Sequence, residues 1–279
     1  MKKDYSNRNG SFKKKDGIPN TEKNRRKYEN KNQNELHNDV IIGRNCVKEA
    51  LRSGRAIEKL LVASGSMNGS AKELAATAKE KGIPVKETDA KKLDFLCGGT
   101  AHQGIAAIAA VKEYCSVDDI FECAEKCNEK PFIILLDEIE DPHNLGAIIR
   151  TAECTGVHGI IIPKRRSAGL GYTVGKASAG AVEYVNVARV TNICNTIENL
   201  KERGVWVFGT DMNGVDSSNI DFDIPVAIVI GNEGKGMGRL VRDKCDGIIS
   251  LPMRGKINSL NASVAAGVVM YDVLRNRGK

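Results

Sequence analysis

Three polar loops in the second half of the sequence each follow an apolar, strand-like run. They span residues 137–144, 231–238 and 252–261. The carboxyl ends of parallel strands meet at one edge of a sheet, and open sheets of this kind bind ligands there. Carboxylate, carboxamide, hydroxyl and guanidinium groups from the loops would then converge on one ligand. The spacing therefore predicts a binding or catalytic site built from these three loops.

The first loop, DEIEDPHNLGAIIRTAE, runs into a predicted helix. Asp141 and Asn144 stand near the helix start, and capping alone would explain both. Arg150 lies farther along the same helix, in an apolar stripe that includes Ile148 and Ile149. A cation in an apolar stripe either snorkels to solvent or points into a site. Arg150 is thus a candidate for chemistry, with a structural role as the alternative.

The second loop, GNEGKGMGRL, contains four glycines in its first eight residues. Glycine lets backbone N–H groups approach a ligand closely, although a plain glycine-rich connector fits the same pattern. The loop lacks both the Gly-Lys-Ser/Thr of a P-loop and the Gly-x-Gly-x-x-Gly of a dinucleotide site. The missing fingerprint argues against a nicotinamide-dependent oxidoreductase.

The third loop ends in the polar residues Asn258, Ser259 and Asn261, directly before a helix-like block rich in small residues. Ser and Asn side chains accept hydrogen bonds from the free N–H groups at a helix start. The same helix start can bind an anion. The segment therefore fits both a capped, closely packed C-terminal helix and an anion site.

The elements that position these loops alternate between strands and helices. Residues 38–112 predict a small α/β unit and residues 131–279 a larger one, joined by a mixed, acidic linker, residues 113–130, with one short helix. The runs FIILL and VAIVI do not alternate apolar with polar residues, which is typical of strands buried on both faces. The predicted fold class is α/β, with a parallel sheet covered by helices on both sides.

Residues 1–37 differ in composition from the rest of the chain. They hold eleven Lys/Arg against five acids, an excess of six in a chain whose formal net charge is +7. The segment is rich in Asn and nearly devoid of aliphatic residues, so a disordered arm is predicted. A basic arm suits a polyanion such as RNA, and a solubilising tail fits the same composition.

Composition also bears on location. No window offers about 18 consecutive apolar residues, so no membrane span is predicted. The lysine-rich start does not lead into the apolar region of a secretory signal. Eight scattered cysteines predict reduced thiols in a cytoplasmic protein. Cys123 and Cys127 lie four apart, but without a second ligand pair no metal site is predicted.

Together the three loops resemble the three sequence motifs of the SpoU (TrmH-like) branch of the SPOUT methyltransferases. The motifs are N-x5-R from Asn144 to Arg150, IGNEGKG, and LPM-x4-NSLNAS-x-A, and the match spans about residues 131–277. The resemblance implies S-adenosylmethionine-dependent methylation of a ribose 2′-hydroxyl in RNA. It also implies a deep trefoil knot at the C-terminus and a homodimer.

The resemblance also implies roles for individual residues, with catalysis centred on Arg150. The other implied site residues are Asn144, Glu233, Ser259 and Asn261 around the reacting groups, and Thr210, Gly231, Leu251 and Leu260 against the cofactor. A guanidinium stays protonated in proteins. Arg150 therefore suits electrostatic stabilisation of a developing alkoxide or an adjacent phosphate better than proton removal.

The amino-terminal unit carries a second resemblance. IIGRNCVKEAL and AHQGIAA resemble the small ribosomal-protein-like RNA-binding domain of the subgroup that methylates a guanosine of 23S ribosomal RNA. His102 and Gln103 are either RNA contacts or parts of a structural turn before a strand. Methylation of transfer RNA is an alternative within the same enzyme class. A non-catalytic RNA-binding protein is the alternative of another class, and it would be expected to carry damaged motif residues.

Overall fold

The computed structural model describes residues 40–257 and 259–278. The predicted basic arm, residues 1–37, and Asn258 lie outside this part of the chain. Within it, no helix is long and apolar enough to cross a membrane. All eight cysteines are free thiols.

A small mixed sheet forms first along the chain. Its unit consists of β1 (Val40–Ile42), α1 (Arg44–Ser53), β2 (Ile57–Ala63), α2 (Gly69–Glu80), β3 (Val85–Thr88), α3 (Ala90–Leu96) and β4 (Ile105–Ala109). The strand order is β1-β4-β2-β3; β2 and β3 are parallel, and β4 is antiparallel to β1 and β2. Helices α1 and α2 cover one face of the sheet, and α3 covers the other.

A larger sheet of six strands follows, and every adjacent pair in it is parallel. Its elements are α4 (Val117–Cys127), β5 (Phe132–Leu136), α5 (Pro142–Cys154), β6 (Gly159–Pro163), α6 (Tyr172–Ala177), β7 (Val187–Val190), α7 (Ile193–Glu202), β8 (Trp206–Asp216), β9 (Val226–Ile230), α8 (Arg239–Lys244), β10 (Gly247–Ser250) and α9 (Ala262–Arg277). The strand order is β10-β8-β9-β5-β6-β7. The trefoil knot implied by the resemblance stays a prediction.

Both faces of this sheet carry a core, as the central strand β5 shows. Its residues Phe132, Ile134 and Leu136 belong to the same core as α5 and α9, whereas Ile133 and Leu135 belong to the core formed with α4 and α7. All five side chains are almost completely buried. The predicted α/β class and the predicted parallel sheet with covered faces are therefore confirmed.

The segment predicted as a linker contains a full helix of 11 residues. Helix α4 begins with a capping box, in which Ser116 and Asp119 each bond the backbone N–H of the other. Its buried residues Ile120 and Phe121 pack into the core of the large sheet. Packing against the sheet therefore fixes this helix in place.

Two strands of the large sheet have bounds that differ from those that the sequence predicts. The run EYVNVARV, residues 183–190, predicts one strand, but only Val187–Val190 forms β7, because the backbone before it forms a 3₁₀ turn, Ala181–Glu183. The run VWVFGTD predicts a strand that ends at Asp211, but β8 continues to Asp216. Its ladder with β10 is interrupted by a bulge, so that residues 210–214 leave the regular pairing. This bulge brings residues 210–212 to the border of the cleft described next.

Candidate active site

An open cleft of about 440 Å³ lies beside the bulge of β8, where β9 and β10 end and where α9 begins. This volume falls in the range of about 300–1,000 Å³ that is usual for small-molecule sites. Its wall consists of the glycine-rich turn at residues 231–236 and of apolar side chains such as Met212, Met253 and Val269. All four predicted cofactor residues and two predicted catalytic residues line it: Thr210, Gly231, Leu251, Leu260, Glu233 and Ser259.

The glycine-rich loop after β9 closes on itself through Asn232. Its backbone N–H donates to the carbonyl of Gly236 at 3.1 Å, and the Gly236 N–H donates back at 2.8 Å. The Asn232 side-chain oxygen also accepts from the N–H groups of Gly234 and Lys235. A Cβ at Gly231 would lie 2.3 Å from the backbone nitrogen of Met237. Only glycine therefore allows the loop to fold this tightly at the cleft.

The buried carboxylate of Asp137 holds the same loop through a backbone hydrogen bond. The Asp137 Oδ2 accepts a hydrogen bond of 2.7 Å from the Gly238 N–H, and the side chain is buried. Desolvation by this burial raises the pKa of Asp137, while the bond from Gly238 opposes the rise. The sequence did not single out Asp137 or Asn232 as site residues. The available signal was their position within two residues of a strand end, where Asx side chains commonly bond turn N–H groups.

Asn144 joins the loops of β5, β9 and α9. It is the third residue of α5, it is buried, and its side-chain amide donates to Glu233. Its side-chain oxygen accepts from the Asn261 amide at 3.0 Å. Asn261 in turn caps α9 by accepting from the N–H groups of Ser263 and Val264. Asn144 is thus no helix cap; Asp141 caps α5, with its carboxylate accepting from His143.

This contact set brings three predicted site residues together at the mouth of the cleft. Each amide can donate through its NH₂ and accept through its oxygen, so Asn144 fixes Glu233 on one side and Asn261 on the other. The chain of hydrogen bonds orients a single carboxylate at the edge of an apolar cleft. Such an arrangement can hold a polar substrate group while the cleft binds an apolar or aromatic ligand.

Arg150 does not join this cluster within one chain. Its neighbours Ile148 and Ile149 are fully buried, but Arg150 itself is exposed and does not line the cleft. Arg150 is six positions after Asn144 on the helix, a step of about 9 Å along the axis and about 240° around it. The side chain therefore does not cross the apolar core, and the expectation that it lies within the apolar stripe is wrong.

His102 and Gln103 both have partners inside the small unit. His102 Nδ1 accepts from the Gly104 N–H at 3.0 Å, and its Nε2 lies 3.0 Å from Asp94. The Gln103 side-chain oxygen accepts from the Arg44 N–H at the start of α1, also at 3.0 Å. These bonds support the interpretation of both residues as parts of a structural turn.

Two family models match the chain over separate segments. The SpoU rRNA Methylase family matches residues 131–271, which contain the cleft and all the predicted site residues. A model for RNA 2′-O ribose methyltransferase substrate binding matches residues 40–115, the unit of the small sheet.

Individual proteins give the same picture. A Bacillus subtilis (strain 168) protein named as a TrmH family tRNA/rRNA methyltransferase, YacO, is 53% identical over 240 residues, covering 86% of this chain and 96% of the relative. The SpoU methyltransferase AviRb from Streptomyces viridochromogenes, solved with the cofactor AdoMet, has a TM-score of 0.72 at 25% identity, covering 85% of this chain and 90% of that one. An AdoMet-bound rRNA methyltransferase from Sinorhizobium meliloti has a TM-score of 0.70 at 25% identity, covering 85% and 86%.

Proposed function

This chain belongs to the SpoU rRNA methylase family, and we propose that it methylates the ribose 2′-hydroxyl of a guanosine in 23S ribosomal RNA. Its general activity is that of a SpoU/TrmH-type RNA methyltransferase dependent on S-adenosylmethionine. The finer assignment makes it a 23S ribosomal RNA (guanosine-2′-O-)-methyltransferase. The observation that carries the proposal is the convergence of all three motif loops on one cleft.

The cleft suits S-adenosylmethionine in size and in chemistry. Thr210, Gly231, Leu251 and Leu260 surround it, and apolar side chains leave backbone groups to hydrogen-bond an adenine. The tight turn at Gly231 lets the backbone approach the ligand without a side chain intervening. Bound there, the sulfonium supplies an activated methyl group.

The acceptor is a poor nucleophile, because an alcohol hydroxyl keeps its proton at neutral pH. Transfer therefore needs either proton removal or stabilisation of the developing alkoxide. Arg150 supplies a permanent positive charge for that purpose. Asn144 positions the Glu233 carboxylate, which can hold a guanidinium or a ribose hydroxyl, and Ser259 offers a hydroxyl on the cleft wall.

We also propose a homodimer that pairs through α9. An exposed apolar stripe runs along this helix. It consists of Leu260, two residues before α9, and of Val264, Val268 and Tyr271 on the helix, each between 40% and 50% exposed. The last three follow the i, i+4, i+7 spacing of one helix face. In such a dimer Arg150, which is exposed and outside its own cleft, is free to serve the cleft of the partner subunit.

Ribosomal RNA is favoured over transfer RNA by the small unit. Residues 40–115 match the substrate-binding model, and the motifs of this unit resemble those of the guanosine-specific ribosomal subgroup. The relative YacO is named for both RNA classes, so methylation of transfer RNA remains the alternative within the class. A non-catalytic RNA-binding protein is disfavoured, because the motif residues are intact and the cleft is formed.

The same proposal covers the organisation and location of the chain. The chain would act on RNA in the cytoplasm through four segments. These are a basic arm, residues 1–37, a substrate-binding unit, residues 38–112, a connecting segment, residues 113–130, and a catalytic unit, residues 131–279. Reduced cysteines agree with that compartment.

Methylation of defined RNAs tests the proposal. Purified protein, S-adenosylmethionine with a labelled methyl group, and unmodified transcripts of 23S ribosomal RNA or transfer RNA are combined, and the label is mapped to a nucleotide. We expect a single 2′-O-methylguanosine in 23S ribosomal RNA. Label in transfer RNA alone would establish the alternative substrate. No incorporation into either RNA would refute the proposed function. A deletion strain that lacks the same mark would confirm the site in cells.

A further inference from the structure

Three consecutive cations follow β6 in the basic loop, which we define as Lys164, Arg165 and Arg166. All three side chains are exposed. Within residues 40–257 and 259–278, neither the Lys164 ammonium nor the Arg165 guanidinium has an ion-pair or hydrogen-bond partner. The loop therefore presents two uncompensated positive charges to solvent.

Backbone contacts hold the basic loop in one conformation. The Lys164 N–H donates to the Val190 carbonyl at 2.8 Å, and its own carbonyl accepts from the Arg189 guanidinium at 2.9 Å. Past the cations, the Ala168 N–H donates to the carbonyl of Ile139 at 2.9 Å. The loop is thus bonded at both ends to neighbouring strand-end segments. Charges placed on such a loop are pre-organised for a ligand.

The loop lies at the same sheet edge as the cleft. Strand β5 pairs with β6 on one side and with β9 on the other, all parallel, so the segments after these strands are neighbours. Arg166 donates to the Glu138 carboxylate at 2.8 Å, and the Glu138 carbonyl accepts from the Asn232 amide at 2.9 Å. Asn232 directly precedes Glu233. Two contacts therefore connect the basic loop to the mouth of the cleft.

We propose that Lys164 and Arg165 bind backbone phosphates of the RNA substrate beside the cleft, and that the Arg166–Glu138 ion pair positions the loop for this contact. The proposal rests on the proposed function, since it assumes an RNA substrate. Phosphate contacts fix the register of a nucleic acid without reading its bases. The loop therefore contributes to RNA affinity and placement, while the choice of nucleotide is made elsewhere.

A double substitution tests the proposal in the full-length protein. Lys164→Gln with Arg165→Gln removes both free charges and leaves the backbone bonds of the loop in place. Its matched control is Lys126→Gln with Lys130→Gln, which removes two exposed cations from α4 and from the opposite, amino edge of the sheet. Binding of a 23S ribosomal RNA transcript is measured against salt concentration, together with S-adenosylmethionine affinity, thermal unfolding and methylation kinetics.

Each phosphate contact contributes about 0.7 to the slope of log affinity against log salt for single-stranded RNA and about 0.9 for duplex RNA. Loss of two contacts in the loop variant should therefore reduce the slope by about 1.4 or about 1.8, respectively. Its KM for RNA should rise, with kcat at saturating RNA and S-adenosylmethionine affinity unchanged. The control should keep the wild-type slope. An unchanged slope and KM in a folded loop variant would overturn the proposal. An equal reduction of the slope in the control variant would also overturn the proposal, because it would mean that RNA binding depends only on the net charge of the protein.

The wild-type measurements separate this proposal from the function on which it rests. If the wild-type protein methylates RNA and the loop variant binds and methylates identically, the basic loop has no role and the proposed function stands. If the wild-type protein methylates no RNA, the function fails, and the loop proposal is overturned with it.

Discussion

Arg150 carries a permanent charge on the solvent side of α5, nearly two turns beyond Asn144. If it stabilises the developing alkoxide, Arg150→Ala should leave S-adenosylmethionine affinity intact and lower single-turnover methylation by about 10²–10³, the usual cost of losing one such donor. Arg150→Lys keeps a charge but loses the planar fork of the guanidinium, so it should restore only part of the rate.

Thermal unfolding of the same preparations controls for a structural role. Because Arg150 is exposed, its replacement should change stability by less than about 0.5 kcal/mol. Near-normal methylation by folded Arg150→Ala protein would end the catalytic role proposed for this residue.

The buried Asp137 carboxyl predicts that the stability difference between an Asp137 variant and the wild-type protein depends on pH. Burial raises its folded pKa above the ordinary value of 3.8, so its contribution to stability is fully present below that value and falls as pH rises through the folded pKa. Asp137→Asn keeps an acceptor for the Gly238 N–H and removes the desolvated charge. We expect this variant to unfold at a higher temperature than wild type at pH 7, with the difference vanishing near pH 3.

Asp118→Asn is the control for this comparison, because Asp118 is an exposed surface acid. It should show no such gain at pH 7. A neutral-pH stability loss in Asp137→Asn would show that Gly238 requires the charged acceptor, contrary to the expectation.

At the scale of elements, α9 is the helix through which we propose that the protein dimerises. Val264→Asp with Val268→Asp places two charges on its exposed apolar stripe, where a partner subunit would have to desolvate them. We expect light scattering to give the monomer mass for this variant and the dimer mass for wild type. Phe95→Asp with Val111→Asp changes two exposed apolar residues away from α9 and should stay dimeric. A wild-type monomer at micromolar concentration would contradict the proposed dimer.

A mixed dimer tests whether Arg150 acts across that interface. Arg150→Ala and Glu233→Ala chains are each expected to be inactive alone. In a mixed dimer, the cleft with intact Glu233 would receive an intact Arg150 from the other chain. An equal, randomly paired mixture should then recover about a quarter of the wild-type rate. Absence of recovery in verified mixed dimers would show that Arg150 serves the cleft of its own chain.

At the scale of the whole molecule, a buried ion pair connects the two α/β units. Arg55, just after α1, pairs with Glu183 in the 3₁₀ turn before β7, and the two side chains are 13% and 3% exposed. Lys112 donates to the Glu183 carbonyl at 3.1 Å, and burial lowers the pKa of its ammonium. Tyr184 and Glu49 add a hydrogen bond of 2.7 Å across the same boundary.

Glu183→Gln should therefore destabilise the protein markedly. It leaves the Arg55 guanidinium buried without its counter-charge, a change that typically costs about 3–5 kcal/mol. Urea unfolding measures the loss of free energy. Glu122→Gln is the matched control, because it breaks an exposed pair with Lys126 and should cost less than about 1 kcal/mol. Equal effects in the two variants would show that the Arg55–Glu183 pair does not secure the junction.

The local sequence determined the secondary-structure elements of this protein and the edge of the large sheet at which the three polar loops lie. The unbroken apolar runs of β5 and β9 predicted strands buried on both faces, since polar residues cannot face a covered surface. The polar run that ends in Asn261 predicted a helix start, and Asn261 caps α9 in the structure. The three polar loops were expected at one edge because strand direction in a parallel sheet is shared.

Contacts between segments distant in sequence decided the rest. Nothing local distinguishes Asn144 from a helix cap; its bonds to Glu233 and Asn261 span 89 and 117 residues and exist only once β5, β9 and α9 are assembled. Arg150 lies outside the apolar stripe because the burial of each α5 residue depends on which side of the helix packs against the sheet. The composition of the helix does not specify that side. The Arg55–Glu183 pair and the contact from Arg166 through Glu138 to Asn232 likewise join separate segments. Charge partners across such distances depend on chain packing, which periodicity along one element does not encode.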